Sequence, residues 1–180
     1  MRKIITVFIL VFLSVSISGQ TVQKERKVVQ VIGKSAFVLN SGNKTSFGFG
    51  INKGIEKISL PPNTVEWCYI FRTKNTNSSS NTTIFDMIIP SEITFAKMVI
   101  NVISGTGGVC NVFLTDEVNA KKFKQNKPFD RNINYDKIQH SEGFVIVRDF
   151  ISDDIYLCFY NPNSVYKVEI EYEVIAIVEE

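Results

Sequence analysis

The sequence contains few of the residues on which most catalytic and metal-binding sites depend. It has one histidine, His140, one tryptophan, Trp67, and three cysteines, Cys68, Cys110 and Cys158. Neither C-x-x-C nor H-x-x-x-H occurs, which argues against a zinc site with the usual ligand spacing. The glycine-rich stretch SGTGGVC lacks the G-K-[ST] ending of a phosphate-binding loop. We therefore expect no cofactor and no bound metal.

The single histidine also limits hydrolytic chemistry. His140 lies in KIQHSEG, which predicts a loop before a strand, and no motif surrounds any cysteine. A catalytic cysteine or serine needs a base beside it, so a small secreted hydrolase using His140 is an alternative only. Acids cluster at Asp149, Asp153 and Asp154, but the D-x-[DN]-x-[DN]-G pattern of a calcium loop is absent. We expect a non-enzymatic protein.

The longest apolar run is confined to the N-terminus. Residues 1–19 read MRKIITVFILVFLSVSISG, in which two cations precede an apolar run from Ile4 to Leu13 and small residues follow. This layout is typical of a secretory signal peptide. The run is shorter than the roughly 20 residues of a membrane-spanning helix. We predict cleavage after Gly19, or after Ser18, and export to the periplasm, the cell surface or the medium. The junction contains no cysteine, so we do not expect a lipoprotein.

No excess charge of either sign remains outside this leader. The chain has 20 Lys and Arg against 18 Asp and Glu, and Arg2 and Lys3 lie in the leader, so residues 20–180 carry 18 of each sign. A nucleic-acid-binding domain normally has a basic surface, so no nucleic-acid partner is expected. We interpret the run KKFKQNK, Lys121–Lys127, as the solvated side of a short helix. The sequence has no second long apolar segment, so we predict no transmembrane span in the mature chain.

Short runs of β-branched and aromatic residues dominate the rest of the chain. Turn sequences such as NSGN, GTGG and NPNS separate them, as is typical of all-β sandwiches and barrels. The last run alternates most clearly. Its apolar residues share one face and its glutamates, which we expect to be exposed, share the other (Val168, Ile170, Tyr172 and Val174; Glu169, Glu171 and Glu173).

We predict a single domain over residues 20–180: an antiparallel, jelly-roll-like β-sandwich with one short crossover helix near residues 116–125. The sequence TDEVNAKKFKQ predicts this helix, with Thr115 as N-cap, acids in the first turn and lysines in the last. Val118 and Phe123 should reach the sandwich. The polar segment TKNTNSSSNTT, residues 73–83, predicts a mobile surface loop.

The stretch KISLPPNTVEWCYIFRT holds the only tryptophan. Pro61 and Pro62 cannot donate to a strand ladder and therefore end one strand before the next begins. In that next strand Trp67, Tyr69 and Phe71 fall on one face. Three alternating aromatic residues predict a sandwich core. The alternative is a sugar-binding platform, which would need the three rings exposed.

Export to an oxidising compartment permits a disulfide. Three cysteines allow three single pairings, and we favour Cys68–Cys158 because both lie in mid-strand aromatic contexts, WCYIF and YLCFY. The alternative is that these two and Cys110 are all buried thiols.

Three segments of the chain resemble a known family. They read ISLPPNTVEWCYIF, CNVFLTDEVNAKKFKQNKPF and IYLCFYNPNSVYKVEIEYEVIAI, and are similar to segments of a family of uncharacterised secreted proteins of Gram-negative bacteria. Their order is also similar to that in bacterial pre-peptidase C-terminal domains and Golgi-dynamics-type β-sandwiches. The resemblance covers residues 55–178 and implies a sandwich with an accessory, non-catalytic role. Cys68 replaces an aromatic residue of the family pattern and Cys158 a glycine, which favours their pairing.

These observations predict an exported, non-enzymatic β-sandwich that binds a surface polymer or a protein partner. A carbohydrate-binding module with exposed Tyr or Phe rings is one alternative. A structural subunit of a surface assembly, which would have an open sheet edge, is another, beside the small hydrolase.

Overall fold

A computed structural model of the protein describes residues 24–46, 48, 50–74, 85–88, 99–102 and 107–180. The predicted signal peptide, and residues 75–83 of the predicted loop, lie outside the described residues. This part of the chain forms β-strands, two short helices and a 3₁₀ turn at Ile133–Tyr135. They are β1 Arg26–Leu39, α1 Gly42–Ser46, β2 Lys53–Ile58, β3 Thr64–Lys74, β4 Phe85–Ile88, β5 Val99–Val102, β6 Cys110–Thr115, α2 Glu117–Lys124, β7 Lys137–His140, β8 Glu142–Val147, β9 Ile155–Tyr160 and β10 Val168–Glu179.

Eight of these strands form two antiparallel four-stranded sheets. The first sheet has the order β1-β10-β3-β8 and the second has the order β2-β9-β6-β7, while β4 and β5 pair separately. Along the eight strands the chain passes from one sheet to the other at every connection except that from β6 to β7. This is the strand order of a jelly roll. The predicted jelly-roll-like sandwich is therefore confirmed.

The predicted short helix is confirmed as α2, in the β6–β7 connection within the second sheet. Its N-cap is Asp116, whose carboxylate accepts from the backbone N–H of Asn119 at 2.8 Å. Thr115, the expected N-cap, is the last residue of β6 because β6 extends up to the helix. Phe123 packs on the outer face of the second sheet, as predicted, but Val118 is exposed.

The aromatic residues of β3 lie between the two sheets. Trp67, Tyr69 and Phe71 are fully buried in the main core cluster. The indole N–H of Trp67 donates to the carbonyl of Phe150 at 2.9 Å, and the Tyr69 hydroxyl donates to the carbonyl of Tyr135. Buried Trp and Tyr normally need such partners for their polar atoms. These rings are core residues and present no platform to a sugar.

The glutamates of β10 depart from the prediction of an exposed face. Glu171 and Glu173 are both buried on the outer side of the first sheet. Glu171 pairs with Arg72 at 2.8 Å, Lys74 at 3.1 Å and Lys34 at 3.3 Å. Burial alone would raise the pKa of Glu171, but hydrogen bonds from these three cations outweigh it and lower the pKa. A buried carboxylate is tolerated here because cations surround it.

The three cysteines are buried free thiols, so the predicted Cys68–Cys158 disulfide is not formed. Cys68 lies in an apolar cluster on the outer side of the first sheet, and Cys158 lies under α2 on the outer side of the second. Packed sheets are about 10 Å apart, whereas a disulfide brings two Cα atoms to within about 7 Å. Cys110 faces the core between the sheets. The pairing was wrong because alternation puts both favoured cysteines on outward faces.

Three further boundaries differ from the sequence-based expectations. KVVQVIG and SAFVLN, two of the short β-rich runs of the sequence, are part of one strand, β1, whose register shifts between Gln30 and Ile32 and again between Ile32 and Ser35. Thr73 and Lys74 belong to β3 and are buried, so the surface loop does not begin at residue 73. KIQH forms β7 rather than a loop.

One asparagine connects several loops at one end of the sandwich. Asn161 is fully buried, and its side-chain amide donates to the carbonyls of Leu39, Asn40 and Tyr166 at 2.8–3.2 Å. Its backbone N–H donates to the carbonyl of Asn52 at 3.0 Å. The β1–β2 and β9–β10 connections are therefore held together, next to the first residues of β2.

Candidate functional site

A groove around Lys53, the first residue of β2, has the features of a binding site. Here the C-terminal end of α2 reaches the outer face of the second sheet, beside the β1–β2 connection. Two cavities of about 340 Å³ and about 480 Å³ meet at this point. They share three lining residues, Asn52, Lys53 and Asn126. We call the two cavities together the Lys53 groove.

The smaller cavity combines aromatic and polar side chains. Its lining comprises Asn52, Lys53, Asn111, Phe113, Phe123, Asn126, Lys127, Phe129 and Tyr160. Phe113, Phe123 and Phe129 pack edge-to-face, with ring centroids 5.3–5.9 Å apart. This packing fixes the floor of the cavity, and half-buried Phe129 and Tyr160 can still contact a ligand.

The larger cavity lies on the other side of Lys53, towards the first strand. Its lining comprises Phe37, Thr45, Gly50, Ile51, Asn52, Lys53, Gly54, Ile55, Lys124 and Asn126. The Phe37 ring is stacked 5.4 Å from Tyr172 and lies so close to Gly54 that a Cβ there would fall 2.8 Å from the ring. Glycine at position 54 therefore lets Phe37 form this wall.

The end of α2 is shaped by Asn126, which has a left-handed backbone with φ of 59°. The N–H of Asn126 donates to the carbonyl of Phe123 at 3.2 Å, and the N–H of Lys127 donates to the carbonyl of Lys122 at 3.0 Å. These two bonds form a Schellman motif, in which a left-handed residue ends a helix. The motif places the Asn126 side chain and Lys127 at the groove.

Lys53 connects the helix end to β2. Its amine donates to the carbonyl of Phe123 and, at 2.6 Å, to Oδ1 of Asn126. The same nitrogen lies 4.4 Å from the centre of the Phe123 ring, a cation–π distance. Burial lowers the pKa of Lys53. An ammonium group has three N–H donors, and these two hydrogen bonds use two of them.

The sequence-predicted histidine lies elsewhere. His140 is exposed at the end of β7, and its partner across the ladder is Cys110. Burial raises the pKa of Cys110 to about 12, whereas a nucleophilic cysteine needs a lowered pKa. The pair is close in the sheet but is not arranged as a thiolate and its base.

The predicted acidic turn also serves the fold. Asp149 accepts from the Tyr135 hydroxyl, and Asp154 lies 3.7 Å from Lys57. Among the described residues, no group of three or more His, Cys, Asp or Glu side chains is placed to hold a metal ion. In the same part of the chain, no helix is long and apolar enough to cross a membrane.

Sequence reasoning did not find the Lys53 groove, because its residues come from stretches that are far apart in the chain. The lysines of α2 were read as a solvated face, and nothing in the sequence indicates that Lys53 reaches the helix end. The one usable signal was the pair NK at positions 126 and 127, directly after a predicted helix. No protein-family model matches the chain, and no curated protein matches it.

Proposed function

We propose that this protein is an exported, non-enzymatic binding module and that a saccharide polymer is its ligand. The observation that carries this proposal is the Lys53 groove, in which aromatic rings, asparagine amides and an amine converge. Small-molecule sites typically have volumes of about 300–1,000 Å³, mostly apolar walls and a few fixed polar groups. Both cavities are within that range.

The lining suits the two kinds of surface that a sugar presents. The half-buried rings of Phe37, Phe129 and Tyr160 can contact apolar C–H faces. The amides of Asn111 and Asn126 can hydrogen-bond hydroxyl groups. Trp67, Tyr69 and Phe71, the rings first considered for this role, are buried in the core.

A polymer rather than a single sugar is favoured by the arrangement of the two cavities. They meet at the Lys53–Asn126 contact and share its residues. A chain of sugars can place one unit in each cavity and so contact the walls of both. The resemblance to secreted accessory sandwiches supports the same proposal.

The alternative of a structural subunit is less well supported by the edges of the first sheet. An assembly strand would add to a regular exposed edge, but edge strand β1 has two register shifts, and irregular edges resist pairing. The opposite edge of the first sheet, β8, lies against β5.

The test is a thermal-shift screen of the purified protein against neutral and acidic plant, bacterial and host glycans. A ligand at 100 times its dissociation constant adds about 2.7 kcal/mol to stability. We expect a shift with one glycan class, and its loss in Asn126→Gly, which keeps the left-handed backbone but removes the amide. Lys57→Gln, on the same face of β2 but outside the groove, should behave as wild type. No shift with any glycan would contradict the proposal.

A further inference from the structure

We propose that the saccharide in the Lys53 groove is anionic and places a carboxylate or sulfate group beside the groove lysines; this inference rests on the proposed function. Lys53 lines both cavities, Lys127 lines the smaller one and Lys124 lines the larger one. Among the described residues that line the groove, none is Asp or Glu. The groove is therefore positively charged although the chain beyond the leader has balanced charge.

The described residues place no acid in an ion pair with the last two lysines of the helix end, Lys124 and Lys127. Lys121, one turn earlier, pairs with Glu117 at 2.6 Å. Within the described residues, Lys124 and Lys127 form no such ion pair. The negative end of the helix dipole offsets part of their charge, but its carbonyls already accept from the backbone and from Lys53.

The asparagine amides of the groove also present donors rather than acceptors. Oδ1 of Asn126 accepts from Lys53 at 2.6 Å, and Oδ1 of Asn111 accepts from the backbone N–H of Gln139 at 2.8 Å. These bonds fix which end of each amide is oxygen, because both partners can only donate. In the part of the chain that the structure describes, the NH₂ groups of both residues can donate to a ligand. A site with N–H donors and ammonium groups favours an anionic acceptor.

A saccharide fits this site better than an acidic peptide because the charge surrounds half-buried rings. Phe129 and Tyr160 flank the smaller cavity, and Phe37 forms a wall of the larger one. An acidic sugar carries an apolar ring face and an anionic group within one unit. A glutamate side chain has no comparable face for these rings.

The experiment compares matched charged and neutral probes by isothermal titration. One pair is a galacturonic acid hexamer and its methyl ester, in which an uncharged methyl ester replaces each carboxylate. The other pair is a sulfated dextran oligosaccharide and the unsulfated dextran. We expect at least one charged probe to bind about tenfold tighter than its neutral partner. That preference should shrink between about 0.05 and 0.5 M salt, because salt screens exposed charges.

Exposed lysines provide the variants, since Lys53 also holds the helix end. Lys124→Gln and Lys127→Gln should each weaken binding of the charged probe about fivefold, which corresponds to about 1 kcal/mol, and weaken binding of the neutral probe much less. Lys57→Gln is the matched control and should change neither affinity. Circular dichroism verifies that each variant is folded.

Each other outcome overturns a different statement. Equal binding of charged and neutral probes would overturn the anionic ligand and leave the proposed function intact. Polyglutamate that binds as tightly as the galacturonic acid hexamer would overturn the choice of a saccharide. No binding of any saccharide, charged or neutral, would overturn this inference together with the proposed function.

Discussion

The amine of Lys53 lies 4.4 Å from the centre of the Phe123 ring and donates to the backbone carbonyl of the same residue. One side chain of β2 thus holds both the aromatic floor and the last turn of α2. The contact explains how an eight-residue helix keeps a defined end on a sheet surface, since helices this short have little stability of their own.

Replacing Lys53 by methionine should destabilise the fold while retaining most of the apolar stem. The carbonyl of Phe123 and the amide oxygen of Asn126 would lose a charged donor, which we expect to cost about 1 kcal/mol. Urea unfolding measures this difference. Lys57→Met, on the same face of the same strand, should change stability by less than about 0.5 kcal/mol. Equal losses in the two variants would contradict the role assigned to Lys53.

The backbone of Asn126 predicts opposite results for glycine and alanine. Glycine adopts a φ of 59° without strain, so Asn126→Gly should stay within about 0.5 kcal/mol of wild type. Alanine is strained in the left-handed conformation, so the free energy of unfolding of Asn126→Ala should be about 1 kcal/mol lower than that of wild type. Thermal unfolding of both variants tests this. Alanine as stable as glycine would show that the helix does not need this conformation to end.

Alkaline pH should destabilise the protein through its buried thiols. Burial raises the pKa of Cys110 and of Cys158 to about 12 from an ordinary 9.0. Above pH 9 the unfolded chain releases protons that the folded thiols keep, so stability present below pH 9 falls as pH rises towards 12. At pH 10 each of these two thiols should lower the free energy of unfolding by about 1.4 kcal/mol. Urea unfolding at pH 8, 9 and 10 should show a shallower decline in Cys110→Ala; an unchanged slope would contradict this origin.

Reductant should leave the melting temperature unchanged. Cys68 and Cys158 lie on opposite outer sides of the sandwich. They form no disulfide that a reductant could break. Differential scanning calorimetry of protein prepared under oxidising conditions, with and without dithiothreitol, measures this. A lower melting temperature with dithiothreitol would indicate a disulfide and contradict the three free thiols.

Glu171→Gln should be among the most destabilising single substitutions. It leaves Arg72, Lys74 and Lys34 facing one another beside a neutral side chain. Breaking a buried ionic group by removing one partner typically costs about 3–5 kcal/mol. Glu169→Gln, two residues earlier and only partly buried, is the control and should cost less than about 1 kcal/mol. Similar values for both would mean that the cluster is effectively solvated.

The sequence was most informative where one residue type repeated along one strand. Alternation placed Trp67, Tyr69 and Phe71 together on one face, and capping chemistry located α2 to within a residue. Both signals are local, since side-chain direction in a strand and dipole preferences in a helix depend only on nearby positions.

The failures share a long-range cause. Alternation at Glu171 looked like a solvent face because its partner Arg72 is 99 residues away. Cys68 and Cys158 both lie in the middle of a strand, and the sequence pattern does not show which sheet each strand joins or which face of that sheet each cysteine occupies. The Lys53 groove was missed for the same reason, since it depends on where a helix end meets a strand.

Asn161 has a consequence for how the groove can vary. Through the carbonyls of Leu39 and Asn40 at one end and Asn52 at the other, it closes the β1–β2 connection as a loop with fixed ends. Lengthening a closed loop costs little, because closure entropy grows only logarithmically with length. Extra residues inserted between those ends should therefore leave the sandwich intact. The part of the larger cavity's wall that this connection forms can therefore change in length and shape without redesign of the core.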